Sequence, residues 1–369
     1  MTTRPRRRAH VLTCAAAMMT LTTGACDPFN TGFADSEAGQ EYTAAQITEP
    51  AANPSSLVVM NWNAKYGAGR IDFFFDCHGD RGIMNEQEVT TNLDGLADKI
   101  KVVDPDILML QEIDTASKRA AYIDQVQYLL DATDLNYAVY ASQWKADYVP
   151  SDGVGPVNSG NVIMSKYPIT ESERIALPLI EEQDGLTQYF YLQRNILKAK
   201  LDVGAGDGVW AVNVHTAAYS TDGTKKKQID QFKAELDAMA EAGEVFVAGG
   251  DLNTLPPGST KVDDFDDSVC EEGGDFDAGG YGPEADWLAE LYADYTPAIP
   301  LAEYQADNSP HYTHTTDKDG FWNRKLDYLF TNGTFTAGSG LTHQDVSSGG
   351  VATMPLSDHA PVSVTWELP

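Results

Sequence analysis

The sequence predicts an α/β domain made of two packed sheets with helices on the outside. Three observations carry this reading. Short runs rich in Val, Ile and Tyr recur from Ser56 onward, helical patterns lie between only some of them, and no internal repeat or long linker divides residues 56–369.

The strand-like runs are SLVVMNWN, DILMLQE, YAVYAS, NVIMSKYPI, FYLQRNILKAKLDV, GVWAVNVHT, EVFVAGGD, KLDYLFTN and PVSVTWEL. Several follow one another closely enough to pair as hairpins, which favours mainly antiparallel sheets. The helical patterns are Val89, Leu93, Leu96 and Ile100, then Ile123, Val126 and Leu130, then Ile229, Phe232, Leu236 and Met239. Each repeats at three- or four-residue spacing, which lines up one apolar stripe.

The first 25 residues have another character. MTTRPRRRAHVLTCAAAMMTLTTGAC combines a basic start, an apolar run from about Val11 to Leu21 and small residues before Cys26, the plan of an export signal. Thr23-Gly24-Ala25-Cys26 resembles a bacterial lipobox, in which Cys26 is lipidated and becomes the first mature residue. Ordinary cleavage nearby is the other reading, since Thr23 stands where that motif prefers Leu. Residues 26–55 are small, polar and acidic without an apolar period, and read as a flexible tether. Of four cysteines, Cys14 and Cys26 belong to this leader. Cys77 and Cys270 remain, and in an exported protein they are expected as a disulfide, with two buried free thiols as the alternative.

Charge narrows the partners. The chain carries 25 Lys and Arg against 55 Asp and Glu, a net −30. Without Arg4, Arg6, Arg7 and Arg8 the remainder has 21 basic and 55 acidic residues, or −34. Nucleic-acid binders gain affinity from Lys and Arg on phosphates, so nucleic acid is disfavoured as a partner; the chain is expected to be a monomer. Lys225-Lys226-Lys227 is the densest basic run after the leader, at the start of a helix. Asp263 to Asp277 carries eight acids and no base. It reads as a solvated loop, and it lacks the ligand order of an EF-hand.

Polar residues collect where the strand-like runs end. Asn63 closes the first run, Gln111 and Glu112 the second, and Gly160-Asn161 opens another. His215 ends VWAVNVH, Asp251 and Asn253 follow VFVAGG, Asp327 lies in KLDYLF, and Ser357-Asp358-His359 precedes the last run. Alone, each is an ordinary turn residue. Delivered together to one rim, carboxylates and carboxamides in this number suit a hard cation such as Mg²⁺, which takes oxygen ligands and keeps waters that a phosphate can displace.

The order N…QE…GN…NVH…GDLN…LDY…SDH resembles the endonuclease/exonuclease/phosphatase superfamily, over roughly Ser56 to Leu368. The resemblance implies a four-layer α/β/β/α sandwich, two mainly antiparallel sheets with outer helices, and a metal-dependent phosphoesterase acting by in-line attack of water. It assigns Glu112 as principal metal ligand, with Asn63 and Asp358 completing the site for Mg²⁺, or for Mn²⁺ or Ca²⁺. It assigns Asp251 to the attacking water, Asn253 to water and phosphate, His215 to a phosphoryl oxygen or the leaving group, and His359, oriented by Asp327, to the phosphate. Asn161 becomes a substrate contact, and Arg324 or Lys325 a source of positive charge. Lys65 stands where some nucleases carry an acid, which argues against a second metal. The expected substrate is a phospholipid head group or small phosphoester, with a membrane within reach of a lipidated Cys26. An extracellular endonuclease and a non-catalytic binding module of the same fold are the alternatives.

Overall fold

The computed structural model describes residues 27–369 apart from positions 28, 75, 77–78, 150–152, 205, 219, 221, 266–279 and 346–350. The chain forms β1 (Ser36–Glu37), β2 (Gln40–Thr43), β3 (Ser56–Asn63), α1 (Glu86–Val103), β4 (Ile107–Asp114), α2 (Gln125–Ala132), β5 (Tyr137–Val149) and β6 (Gly155–Ser165). It continues through β7 (Ile169–Ala176), α3 (Gly185–Phe190), β8 (Asn195–Leu201), β9 (Val209–His215), α4 (Thr224–Glu241) and β10 (Phe246–Asp251). The last part holds α5 (Ala289–Asp294), β11 (Thr296–Pro297), α6 (Leu301–Ala306), β12 (Asp327–Thr331), β13 (Thr334–Phe335), β14 (Leu341–Thr342) and β15 (Val362–Glu367).

One sheet runs β13-β15-β3-β4-β6-β5-β2, with β14 also on β15, and the other β1-β7-β8-β9-β10-β12-β11. Pairing is antiparallel except for β3 with β4 and β9 with β10. Strand alternation sorts the side chains into layers. Val59, Ile107, Met109, Ile163, Leu197, Ala211, Val247 and Val364 face inward and form the core between the sheets. Their neighbours Met60, Trp62, Leu108 and Leu110 face outward against Val89, Leu93 and Ile100 of α1 and Leu129 of α2. On the far side Val212, Val214 and Phe246 pack under Ile229, Phe232 and Leu236 of α4. This is the four-layer sandwich expected from the sequence.

A polar bridge crosses the apolar middle. Gln111 Nε2 donates to Asn61 Oδ1 in its own sheet at 2.8 Å and to Asn213 Oδ1 in the opposite sheet at 2.6 Å. Asn213 Nδ2 returns hydrogen bonds to the carbonyls of Leu110 at 2.8 Å and Val162 at 2.9 Å. Those carbonyls flank a register shift in β4 between Leu110 and Ile113. Buried polar groups cost little only when paired, so the two sheets are held at one spacing and offset.

Two strands lie inside the stretch expected as a flexible tether. Ser36 and Glu37 pair with Ile175 and Arg174 at the edge of one sheet, and Gln40 to Thr43 pair with Tyr140 to Tyr137 at the edge of the other. Edge strands this short are held by backbone pairing and a few side chains, Ser36 on Glu173 and Tyr42 on Asp124, so no apolar period is needed to form them. The segment straps both open edges. Cys26, Cys77 and Cys270, and with them the expected lipidation and disulfide, lie outside the described residues, as does most of the acidic run after Phe265. Among the described residues no helix is long and apolar enough to cross a membrane.

The strap generates a test. Removing residues 27–44 strips two edge strands and the buried Ala44 and is expected to lower stability by about 2–4 kcal/mol, read as a fall in the urea midpoint. A free tether would leave the midpoint where it was.

Candidate functional site

The carboxyl ends of β3, β4, β9 and β10 meet at one end of the sandwich. β12 starts there, and the loop into β15 arrives beside it. Strand register sets the floor: Asp251 stands opposite His215 on one side and Asp327 on the other. The glycine pair before Asp251 makes this spacing possible. A Cβ on Gly249 would lie 2.0 Å from the Tyr328 carbonyl oxygen, and one on Gly250, at φ +141°, 1.8 Å from that of Val214. Only glycine lets three strands close this tightly around the last carboxylate.

Glu112 is placed by the irregularity in β4. Its φ of +57° is in the left-handed region, which the bulge imposes and which turns its side chain away from the ladder direction. The carboxylate keeps 28 % of its surface exposed, whereas Asp251 keeps 2 %. Burial, together with Asp358, raises the Glu112 carboxyl above its ordinary range, against Asn63, Arg194 and His359. Asn63 ties the two acids together, its Nδ2 donating to Asp251 Oδ2 at 3.0 Å and to Glu112 Oε1 at 3.1 Å, while its Oδ1 accepts from Lys65 N.

The histidines differ in charge. His359 Nδ1 bonds Asp327 Oδ2 at 2.8 Å, and its Nε2 is 3.6 Å from Asp251 Oδ2. Burial opposes the charge of this ring, but Asp327 and Asp251 outweigh it and raise His359 to about 10. His215 goes the other way: burial, then Arg194 and His359, hold it well below its ordinary value, so it is neutral. Its tautomer follows from Gln143. The Gln143 Oε1 accepts from Arg194, so its Nε2 faces His215 Nδ1 as donor at 3.4 Å. The His215 proton therefore sits on Nε2, aimed at Asp251 Oδ2 at 3.5 Å.

Asp251 accepts from Asn253 N at 2.9 Å through Oδ1. Burial raises its carboxyl to about 7, with Asp327 adding to the rise and His359, Asn63 and Asn253 opposing it. Asn253, at φ +46°, donates through Nδ2 to the Thr216 carbonyl at 3.2 Å. Asp358 is held low by Lys65, His359 and Arg70 in spite of burial. Lys65 Nζ reaches Asp76 at 2.9 Å and Asp358 at 3.8 Å, so a fixed ammonium stands where an acid would build a second cation site.

Eight residues named from the sequence thus converge: Asn63, Glu112, His215, Asp251, Asn253, Asp327, Asp358 and His359. Three take other places. Asn161 is fully buried, its Nδ2 on Asn195, with Oδ1 unpaired opposite the β4 bulge. The Arg324 guanidinium stacks on Phe265, 4.4 Å from the ring centroid, at the foot of the acidic stretch. Lys325 is buried and donates to the Asp327 carbonyl at 2.8 Å; burial lowers it to about 8. It braces β12 and does not face a substrate.

Four further residues enter that the motif did not mark. Gln143 and Arg194 fix His215. His314 Nδ1 lies 3.1 Å from His359 Nε2. Lys225, from the basic run, is buried and bonds the Asn253 carbonyl at 2.7 Å and Glu284 at 2.8 Å, clamping the turn after Asp251. Only Lys225 carried a signal in the sequence, as the first lysine of a helix whose apolar face must turn inward.

The donor set fits a hard cation. Among the described residues, Asp251, Asp327 and His359 offer ligand atoms within 4.8 Å of one another, as do His314, Asp358 and His359, while Glu112 stands beside them, bonded to the same Asn63 amide as Asp251. As oriented, Asn63 presents amide hydrogens to Asp251 and Glu112, and Glu112 is the more open of these two acids.

A family model described as the Endonuclease/Exonuclease/phosphatase family matches residues 60–359. Among solved structures, an endonuclease/exonuclease/phosphatase from Beutenbergia cavernae is 18 % identical at a TM-score of 0.55, over 85 % of this chain and 72 % of that one. A mannosyl-6-phosphatase from Bacteroides thetaiotaomicron is 14 % identical at 0.50, over 84 % and 98 %. The human Nocturnin catalytic domain is 14 % identical at 0.51, over 90 % and 98 %. At these identities the likeness is one of fold. No curated protein matches the sequence.

Two outcomes are expected from this geometry. Asp251 has a carboxyl raised from 3.8 to about 7, so the native state holds a proton that the unfolded chain has released. The contribution of this one carboxyl to the stability of the metal-free protein therefore falls as pH rises from about 4 to about 7, and comparison with a variant isolates it from the buried histidines, which act in the opposite sense. Asp251→Asn should raise the melting temperature by a few degrees at pH 8 and leave it nearly unchanged at pH 4, by calorimetry with chelator. Lys225→Met should lower kcat about tenfold or more with KM little changed, because the clamp acts on Asn253; near-ultraviolet circular dichroism checks that the core is intact.

Proposed function

The chain belongs to the endonuclease/exonuclease/phosphatase family, and on that premise we propose that it is an exported, lipid-anchored, Mg²⁺-dependent phosphoesterase acting on phospholipid head groups or small phosphoesters. The observation that carries the reaction class is the opposed pair at the floor. Asp251, with a carboxyl near neutral, and His359, a charged imidazolium, stand 3.6 Å apart within a ring of oxygen donors.

The roles follow from proton positions. Asp251 is fixed through both oxygens, by Asn253 N and Asn63 Nδ2, and takes the proton of the attacking water. His359 keeps its Nδ1 proton on Asp327 and turns its Nε2 proton toward the phosphoryl or leaving oxygen; that proton now faces His314, so substrate replaces His314 as acceptor. His215 presents Nε2–H beside Asp251 and can hold a second phosphoryl oxygen without carrying charge. A Mg²⁺ on Glu112, with Asp358 and Asn63 beside it, would supply neutralisation of the phosphate's negative charge.

Export and anchoring are supported by the leader and Cys26, and the substrate size by the −34 balance of the chain after the leader, which repels polyphosphates. The test is a panel of sphingomyelin, lysophospholipids, inositol phosphates, a soluble bis-phosphodiester and plasmid DNA, with Mg²⁺, Mn²⁺ or Ca²⁺. Head groups or small esters should be turned over fastest at about 0.15 M salt, and Glu112→Gln should cost at least about 10²-fold in kcat. Faster cleavage of DNA than of every other substrate would assign an extracellular endonuclease, and activity untouched by EDTA would remove the metal.

A further inference from the structure

Ten large apolar side chains are exposed among the described residues, and seven of them sit at the end of the sandwich that carries the site, five in loops, Tyr148 at the end of β5 and Leu186 in α3. Strand directions establish this. Ile83 follows β3, and Tyr122 follows β4, whose carboxyl ends hold Asn63 and Glu112. Tyr148 is near the end of β5, which runs parallel to β4 through their shared partner β6. Leu179 and Leu186 lie between β7 and β8, the connection that closes beside His215. Phe321 precedes β12, and Phe29 precedes β1, whose start pairs with the end of β7. Of the other three, Ile47 and Val102 lie at the opposite end, after β2 and late in α1.

Exposures are large where they matter: Leu186 70 %, Tyr122 57 %, Phe321 56 % and Tyr148 53 %. A single exposed Leu means nothing, but seven exposed apolar groups at one end of the sandwich, even set among acids such as Glu181, Asp184 and Asp319, are characteristic of a surface that meets something apolar. The first described residues are built into the same rim. Asp27 bonds the Tyr189 hydroxyl, Phe29 packs on Phe190 at 5.6 Å, and Asp147 N donates to the Phe29 carbonyl. Thr31 accepts from Gln193, whose neighbour Arg194 holds Gln143 against His215. Cys26 is covalently next to Asp27, so a lipid on Cys26 enters the bilayer at the catalytic mouth with no long spacer.

We infer that this end of the molecule is an interfacial docking face, which lays the site mouth on a lipid surface around the Cys26 anchor. The inference rests on the proposed lipid-phosphoester reading and deepens it: the substrate is taken from the membrane plane and not from bulk solution. Apolar insertion, not charge, drives the contact, because the chain is strongly acidic and would be repelled by anionic lipid. Zwitterionic surfaces are the expected partner.

The test separates docking from both anchoring and catalysis. The full exported chain carrying Cys26→Ser, which removes the lipid, is floated with phosphatidylcholine vesicles. It should bind them, little affected by salt between about 0.05 and 0.5 M, and bind phosphatidylserine vesicles more weakly. Adding Tyr148→Glu and Leu186→Glu should weaken binding at least tenfold, while Ile47→Glu and Val102→Glu should not. All variants should hydrolyse a water-soluble phosphodiester at the parent rate, since none of these side chains touches the site. No vesicle binding by the Cys26→Ser chain, equal losses in the two variant pairs, or a face that instead self-associates at micromolar concentration would overturn the inference. Loss of the soluble activity in the parent would bear on the phosphoesterase reading, not on docking.

Discussion

The bridge from Gln111 to Asn213 is the constraint on which the rest depends. A bulge in β4 gives Glu112 its outward, left-handed placement but breaks the ladder around the Leu110 and Val162 carbonyls. Asn213 crosses from the other sheet to satisfy them. The same contact fixes how far apart the sheets stand, one residue from Glu112 and two from His215. Site geometry and sheet packing are therefore one problem. A shift of either sheet would unpair buried amides at about 1–3 kcal/mol each, so the metal-facing and phosphate-facing residues cannot drift independently.

Charge at the floor is arranged by the same packing. Burial raises the Asp251 carboxyl to about 7, while Asp327, 2.8 Å from His359, keeps that ring charged. Two carboxylates so close would both resist ionisation without the imidazolium between them. Lys65 does comparable work for Asp358 and, by standing there, leaves Glu112 as the open carboxylate. Acid, base and cation ligand are thus distinguished by surroundings, not by residue type.

The strand ends were legible because a buried strand announces itself in Val and Ile and its terminal Asn, Asp or His stands out against that run. GDLN was assigned through the family resemblance, and the structure supplies the reason for its glycines: a Cβ on Gly249 or Gly250 would strike a neighbouring strand's carbonyl. The partners that orient those residues were not legible. Gln143 reaches His215 across 72 positions and His314 reaches His359 across 45, distances along the chain that only the crossing of strands closes. Residues 36–43 were hidden for the opposite reason: two short edge strands need backbone partners, not a pattern. The run FYLQRNILKAKLDV read as one strand, yet only Asn195–Leu201 pairs as β8, because Phe190 ends α3 and the residues between form the rim beside Arg194.

That rim shows how an acidic protein can still address a phosphate. Arg194, His359 and Lys65 are each committed to a neighbour at the floor, and none projects as a free basic surface along which a polyanion could lie. The same end of the sandwich carries exposed apolar side chains set among acids. A duplex would bring many phosphates to a surface that neutralises few, and each unneutralised one carries a Coulomb cost. A single phosphoester presented by an apolar body pays no such cost: its one phosphate meets the histidines and the cation ligands, and its remainder stays in the lipid surface on which that end of the molecule rests. On the proposed reading, selectivity lies in that division between a charged floor and an apolar edge, which the sandwich produces by ending its core strands in polar residues and its connecting loops in exposed aromatic and aliphatic ones.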